Sequence, residues 1–139
     1  MNTKPWASKK QSRRRRGAAV VEFAIALPVF VLIVLGTIET ISMIFLQQGL
    51  KIAAYEATRV ALVPGTSSAE VQEAANRLLA NRRISGASVT ISPSNFQSQS
   101  YGTPISVRVT AACNDNSVIA PMFYVGRTLD AEVSMMKET

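Results

Sequence analysis

The stretch that decides the fold is RRRRGAAVVEFAIALPVFVLIVL, residues 13–35. Four arginines precede a glycine, and the apolar run that follows is interrupted only by Glu22 and Pro28. The run continues to Ile38 and contains about 21 residues from Ala18 onward, close to the roughly 20 that cross a bilayer as a helix. We therefore predict a transmembrane helix over residues 18–40, with its basic end in the cytoplasm.

Basic residues are concentrated before this helix. The chain of 139 residues has a formal net charge of +6, but seven of its fifteen basic residues and none of its acids precede Gly17. The rest of the chain is nearly neutral. We expect residues 1–16 to be disordered, and we interpret Arg13, Arg14, Arg15 and Arg16 as a topology signal. The alternative is a basic arm that binds nucleic acid or anionic lipid.

A cleaved secretory signal peptide is the main competing interpretation of the N-terminus. Its apolar core would be shorter, and it would end at small residues suited to signal peptidase. Here the run is long, and the residues after Leu35 read GTIETISMIFLQQG, in which the small residues are poorly placed. Glu22 is costly for a plain anchor, because a charged side chain costs roughly 2.5–3.5 kcal/mol at the centre of a bilayer.

The order of basic run, glycine, four small or apolar residues, glutamate and long apolar run resembles the class III signal of type IV prepilins and pseudopilins. More narrowly, residues 13–39 resemble the opening of TadE-like pseudopilins of the tight-adherence (Flp) pilus system. Two later pieces, AAYEATRVAL at 53–62 and RTLDAEVSMMKE at 127–138, also resemble that family's pattern. The resemblance is strong over residues 13–62, weaker at the C-terminus and faint between them.

The resemblance implies a processing site and an assembly role for two residues. A prepilin peptidase would cut between Gly17 and Ala18, removing the basic leader 1–17, and Glu22 would become the fifth residue of the mature chain. The new ammonium of Ala18 would then pair with Glu22 of a neighbouring subunit and set the axial register, since two desolvated opposite charges are acceptable together. The alternatives are a flexible joint at Gly17 and a wet, functionless carboxylate at Glu22.

Pro28 lies in the middle of the apolar run. Proline removes one backbone donor and crowds the carbonyl four residues earlier, here that of Ala24, which favours a kink. The kink either has no further role or marks a point of local unwinding when the helix leaves lipid for a filament.

Beyond the span, the same helix is predicted to continue to about Val63 and to end at Pro64-Gly65. Residues 41–63 form an amphipathic continuation that packs on a head domain. Its apolar stripe consists of Leu46, Leu50, Ala53, Ala57 and Val60 with Ala61. We expect Glu39 to be solvated at the outer end of the span.

Residues 64–139 are predicted to form a small extracytoplasmic α+β head. Ser67 and Glu70 make a capping-box pattern for a helix that reaches about Arg83. Three antiparallel strands follow, at residues 87–91, 105–111 and 129–135, because apolar and polar residues alternate there. We expect the apolar patch 119–125 to be core rather than a contact surface.

Composition argues against an enzyme. The chain has no histidine and one cysteine, Cys113, which we expect to be a buried small hydrophobe rather than a link between chains. It shows no phosphate loop, metal-ligand spacing or nucleophile–base pair, so we predict no cofactor, no metal and no catalytic residue.

These observations favour a minor pseudopilin precursor in the inner membrane, with its N-terminus cytoplasmic and its head periplasmic or extracellular. The minor role follows by analogy, because the bulk pilin of such systems is typically much shorter. The implied partners are the prepilin peptidase, other pilins and pseudopilins, the inner-membrane assembly machinery and membrane lipid, with no nucleic acid. The alternative is an uncleaved bitopic inner-membrane protein whose head is a binding module.

Overall fold

The computed structural model describes residues 9–138 and the side chains of residues 17–138. The elements are α1 (Lys9–Ala61), α2 (Ser68–Asn81), β1 (Ser88–Ser92), β2 (Pro104–Ala112) and β3 (Thr128–Met136), with two short 3₁₀ turns. The described chain divides after Thr37 into two compact units, an N-terminal helical unit and a head. The predicted α+β class, with one long helix, one further helix and three strands, is confirmed.

Helix α1 begins earlier than the sequence predicted. It starts at Lys9, so disorder is the wrong prediction for residues 9–16, and residues 1–8 lie outside the described residues. Lysine, glutamine and arginine are good helix formers, and this segment contains no residue that breaks a helix. The helix continues through Pro28 and ends at Ala61, two residues before the predicted end, because a proline at position 64 disfavours helical backbone just before it.

The part of α1 within the head carries the predicted amphipathic stripe. Leu46, Leu50, Ala53, Ala57 and Ala61 are all buried, and Val60 is half-buried. Thr58 is also fully buried, and its hydroxyl donates to the carbonyl oxygens of Ala54 at 2.7 Å and Val133 at 3.2 Å. A buried hydroxyl with its hydrogen bonds made is tolerated in a core. Thr58 therefore also ties α1 to the edge strand β3.

Helix α2 has the predicted N-terminus and a different C-terminus. The Ser67 hydroxyl accepts from the backbone N–H of Glu70 at 3.3 Å, and the Glu70 carboxylate accepts from the Ser67 N–H at 2.7 Å, which confirms the capping box. The helix ends at Asn81, and Arg83 adopts a left-handed φ of 57°. The Ile84 N–H donates to the Leu79 carbonyl at 2.9 Å, so this turn closes the helix before the predicted end at about Arg83.

The three strands form one antiparallel sheet in the order β1-β2-β3. Each strand lies within one residue of its prediction at both ends. On one face of β2, Ile105, Val107, Val109 and Ala111 are buried against the helices, while the opposite face carries polar pairs such as Arg108 and Glu132. This alternation is typical of a sheet with one face on the core and one in solvent.

Candidate functional site

The predicted processing site lies on the exposed surface of α1. Ala18 and Glu22 are exposed, and no ion pair or hydrogen bond among the described residues includes Glu22. A Cβ atom added at Gly17 would meet nothing within 4 Å, so packing in this chain does not require a glycine there. The side chains of Arg13–Arg16 lie outside the described ones.

The helix after Gly17 is apolar on every side. None of the side chains of residues 17–37 is buried, including those of the large residues Val20, Phe23, Ile25, Phe30 and Ile33. Exposure of so long an apolar stretch to water is unfavourable, whereas a helix that is apolar on every side suits lipid. Within the described residues, α1 is the one helix long and apolar enough to cross a membrane.

Glu39 is the polar residue that the sequence interpretation placed wrongly. Its side chain is 0% exposed rather than solvated. One carboxylate oxygen, Oε1, accepts from the backbone N–H groups of Met122 at 3.1 Å, Phe123 at 3.0 Å and Tyr124 at 2.8 Å. The second oxygen, Oε2, lies 3.2 Å and 3.1 Å from the first two nitrogens. Glu39 therefore binds three consecutive backbone donors of one loop.

This arrangement stabilises a buried carboxylate without a cation. No described ion pair includes Glu39, so backbone donors offset the cost of removing its charge from water. The Glu39 carboxylate thus fixes the loop 118–125 to the helix.

Cys113 is also buried, which confirms the prediction of a small buried hydrophobe, and burial raises the pKa of its thiol.

The loop 118–125 contradicts a second prediction, since most of its large apolar residues are exposed. Val118, Met122, Phe123 and Val125 expose 78%, 53%, 55% and 59% of their surface, whereas Tyr124 is half-buried against the core. The backbone N–H groups of this loop turn inward to Glu39. The Met122 and Phe123 side chains accordingly lie on the outside.

An apolar groove lies in the same part of the head. It has a volume of about 560 Å³, and its lining includes Ile38, Ile41, Phe45 and Val118 with Arg82 and Arg83. The sequence interpretation missed it. Positions 38, 41 and 45 fall on one side of a helix, so a second apolar stripe, separate from the core stripe, was the available signal.

The described residues contain no group of three or more histidine, cysteine, aspartate or glutamate side chains that could hold a metal ion. The described ion pairs are exposed or partly exposed, as for Arg59 and Glu56, whose charged atoms are 2.6 Å apart. The described part of the head therefore offers exposed apolar surface and a buried carboxylate that backbone N–H groups bind.

Comparison with known families gives a match over most of α1. The model of the TadE-like protein family matches residues 17–59, which confirms the resemblance to TadE-like proteins of the Tad pilus system over that segment. Searches of curated proteins and of solved structures gave no match. Together with the apolar helix, the family match fits a membrane-anchored protein.

Proposed function

We propose that the chain is a minor pseudopilin precursor whose leader, residues 1–17, is removed by a prepilin peptidase before the mature chain takes part in assembling a tight-adherence pilus. It would initiate, cap or join the fibre. The observation that carries this proposal is where the family match begins. It starts at Gly17, the residue after which the cut is proposed, and continues along the helix that is apolar on every side.

Two features of Gly17 and Glu22 support a processed helix. Glycine weakens a helix by about 1 kcal/mol relative to alanine, and no described contact requires it at position 17. Glu22 has an exposed carboxylate in a segment made for lipid or for other apolar helices. Its partner would be the Ala18 ammonium of a neighbouring subunit, because one desolvated charge alone is unfavourable and an opposite pair is tolerated.

The same proposal places the mature chain in the inner membrane. The basic leader would remain cytoplasmic, because loops rich in lysine and arginine stay on that side. The head, residues 64–139 with the amphipathic helix 41–63, would lie on the periplasmic side. Its partners there would be other pilins, pseudopilins and the assembly machinery.

The processing step is tested by intact mass and N-terminal sequencing of the membrane-bound protein from its native cell. We expect the chain to begin at Ala18. Gly17→Arg should block the cut without blocking insertion, whereas Ser12→Arg adds the same charge to the leader and should be cut normally. A normally shortened Gly17→Arg product would refute the class III assignment.

The assembly role of Glu22 is tested separately. Glu22→Ala should be cut at Gly17 but should be lost from purified filaments, because the proposed partner of Ala18 is gone. Glu73→Ala, which removes an exposed carboxylate from α2, is the matched control and should be incorporated normally. Incorporation of the Glu22 variant at the level of the control would remove the proposed pairing.

The alternative is an uncleaved bitopic membrane protein whose head is a binding module. The exposed loop 118–125 and the adjacent groove are the observations that favour it. A native chain that begins at Met1 or Asn2 would support this alternative. A chain that begins beyond Leu35 would instead mean cleavage by ordinary signal peptidase.

A further inference from the structure

We infer that the head has a lipid-docking edge, formed by the loop 118–125 and the groove of Ile38, Ile41 and Phe45 with Arg82 and Arg83, that rests on the anionic bilayer holding the chain's own helix. The inference rests on the membrane anchoring in the proposed function. It requires neither cleavage at Gly17 nor assembly into a pilus.

The first argument is the composition of the exposed loop. Val118, Met122, Phe123 and Val125 are all more than half exposed, and they fall within eight consecutive residues. Single exposed apolar residues are normal, but a cluster of large ones marks an interaction site. Tyrosine is enriched at membrane–water interfaces, and phenylalanine is among the residues that interfacial helices bury in lipid, so Tyr124 and Phe123 suit such a surface.

The second argument is the position at which this loop is held. Glu39 binds the N–H groups of residues 122–124 and is two residues beyond Thr37, the last residue of the N-terminal unit. The apolar run of the sequence ends at Ile38, so the loop is held by the residue that follows the run, in the first turn of the head's part of α1.

The third argument is charge. Arg82 and Arg83 line the groove, are exposed, and take part in no ion pair among the described residues. Arg127 follows the loop, with its guanidinium 5.8 Å from the centre of the Tyr124 ring, and no acid occurs between Asp115 and Asp130. Cations beside exposed apolar side chains suit phosphate groups at an anionic lipid surface.

A fluorescence experiment on the full-length chain in lipid vesicles tests the docking. Trp6 is the only tryptophan, so Trp6→Phe gives a background in which Phe123→Trp supplies a single probe within the edge. Tyr101→Trp is the matched control: it is highly exposed and lies beyond the opposite end of β2, a strand of nine residues or roughly 30 Å. The vesicles contain phosphatidylcholine and phosphatidylglycerol, with bromine on the acyl chains.

We expect the probe at position 123 to lose about half of its emission to brominated lipid, because interfacial side chains reach 5–10 Å into the acyl boundary. The probe at 101 should lose almost none. Equal quenching at both positions, in chains that float with the vesicles, would overturn the inference. Quenching at 123 only after a second pilin is added would do the same, because the occupant would then be protein.

The arginines are tested in the same vesicles. Arg82→Gln with Arg83→Gln should lower the ratio of docked to undocked heads by about fivefold per arginine, and removal of phosphatidylglycerol should have the same effect. Arg77→Gln, an exposed arginine of α2 paired with Glu73, is the control and should change nothing. Docking that is unchanged by both the arginine substitutions and the removal of phosphatidylglycerol would overturn the proposed role of the arginines and of anionic lipid. Chains that fail to float would instead refute the membrane anchoring itself, and the docking with it.

Discussion

Glu39→Gln is the substitution that tests the structure most directly. Glutamine keeps the length of the side chain but replaces the charge with a neutral amide, and one carboxylate oxygen becomes an NH₂ donor. Hydrogen bonds to a charged group contribute about 1.5–3 kcal/mol each and neutral ones about 0.5–1.5. Three backbone donors meet this carboxylate, so we expect a loss of about 3 kcal/mol from the head.

Two measurements in mild detergent check this value. For a head of this size each kcal/mol lowers the midpoint of thermal unfolding by about 4–8 °C, so a decrease of more than about 10 °C is expected. Hydrogen exchange should accelerate at the amides of residues 122–124, while the amides of Val107 and Val109 in the central strand stay protected. The second measurement locates the effect in the loop.

The matched control is Glu73→Gln, which removes an exposed carboxylate that pairs with Arg77 at 3.1 Å. Exposed pairs contribute little, so this variant should stay within about 0.5 kcal/mol of wild type. The reasoning fails if Glu39→Gln matches this control in stability. It also fails if the amides of the loop exchange at their wild-type rate in the Glu39 variant, since the carboxylate would then not hold them.

Three further predictions concern the packing, the helix cap and the thiol. Leu50→Ala should lower the free energy of unfolding by about 2–5 kcal/mol in denaturant titration, because the Leu50 side chain is fully buried. The Ile44 side chain is half-exposed, so Ile44→Ala should lower that free energy much less. Hydrogen bonds from the backbone N–H and hydroxyl of Ser67 lower the pKa of Glu70, so this cap contributes stability at neutral pH that is lost as the pH falls through the folded pKa of Glu70. Ser67→Ala should therefore lower the free energy of unfolding by about 1 kcal/mol at pH 7 and by less in acid. An equal loss at both pH values would count against the cap. Cys113 should react with a maleimide slowly in the folded chain and quickly in urea, because burial both shields the thiol and raises its pKa; equal rates would contradict its burial.

Local patterns predicted most of the head. The alternation of β2 and β3 and the Ser67–Glu70 cap are properties of neighbouring residues, and the structure reproduces them within one residue. The buried stripe of Leu50 and its neighbours follows from helical periodicity in the same way. Such features can be predicted from sequence because the residues that create them are adjacent in sequence or on one face of an element.

Glu39 could not be predicted in this way, because its partners are more than 80 residues away along the chain. A carboxylate just after an apolar run is ordinarily a solvated end, and no side-chain pattern shows that three backbone N–H groups will meet it. The same contact explains the error at 119–125. A run of apolar residues is expected in the core, but here the backbone of the run faces the carboxylate and the side chains face outward.

Glu22 and Glu39 lie on one helix and have opposite environments. Glu22 is exposed and has no partner within the described chain, whereas Glu39 is buried and receives its hydrogen bonds from its own head. A carboxylate that its own chain satisfies gains nothing from a neighbouring subunit, whereas one that its own chain leaves unpaired in an apolar segment does. Substitutions at the two sites should therefore separate by assay, with Glu39 affecting the stability of the isolated protein and Glu22 affecting assembly alone.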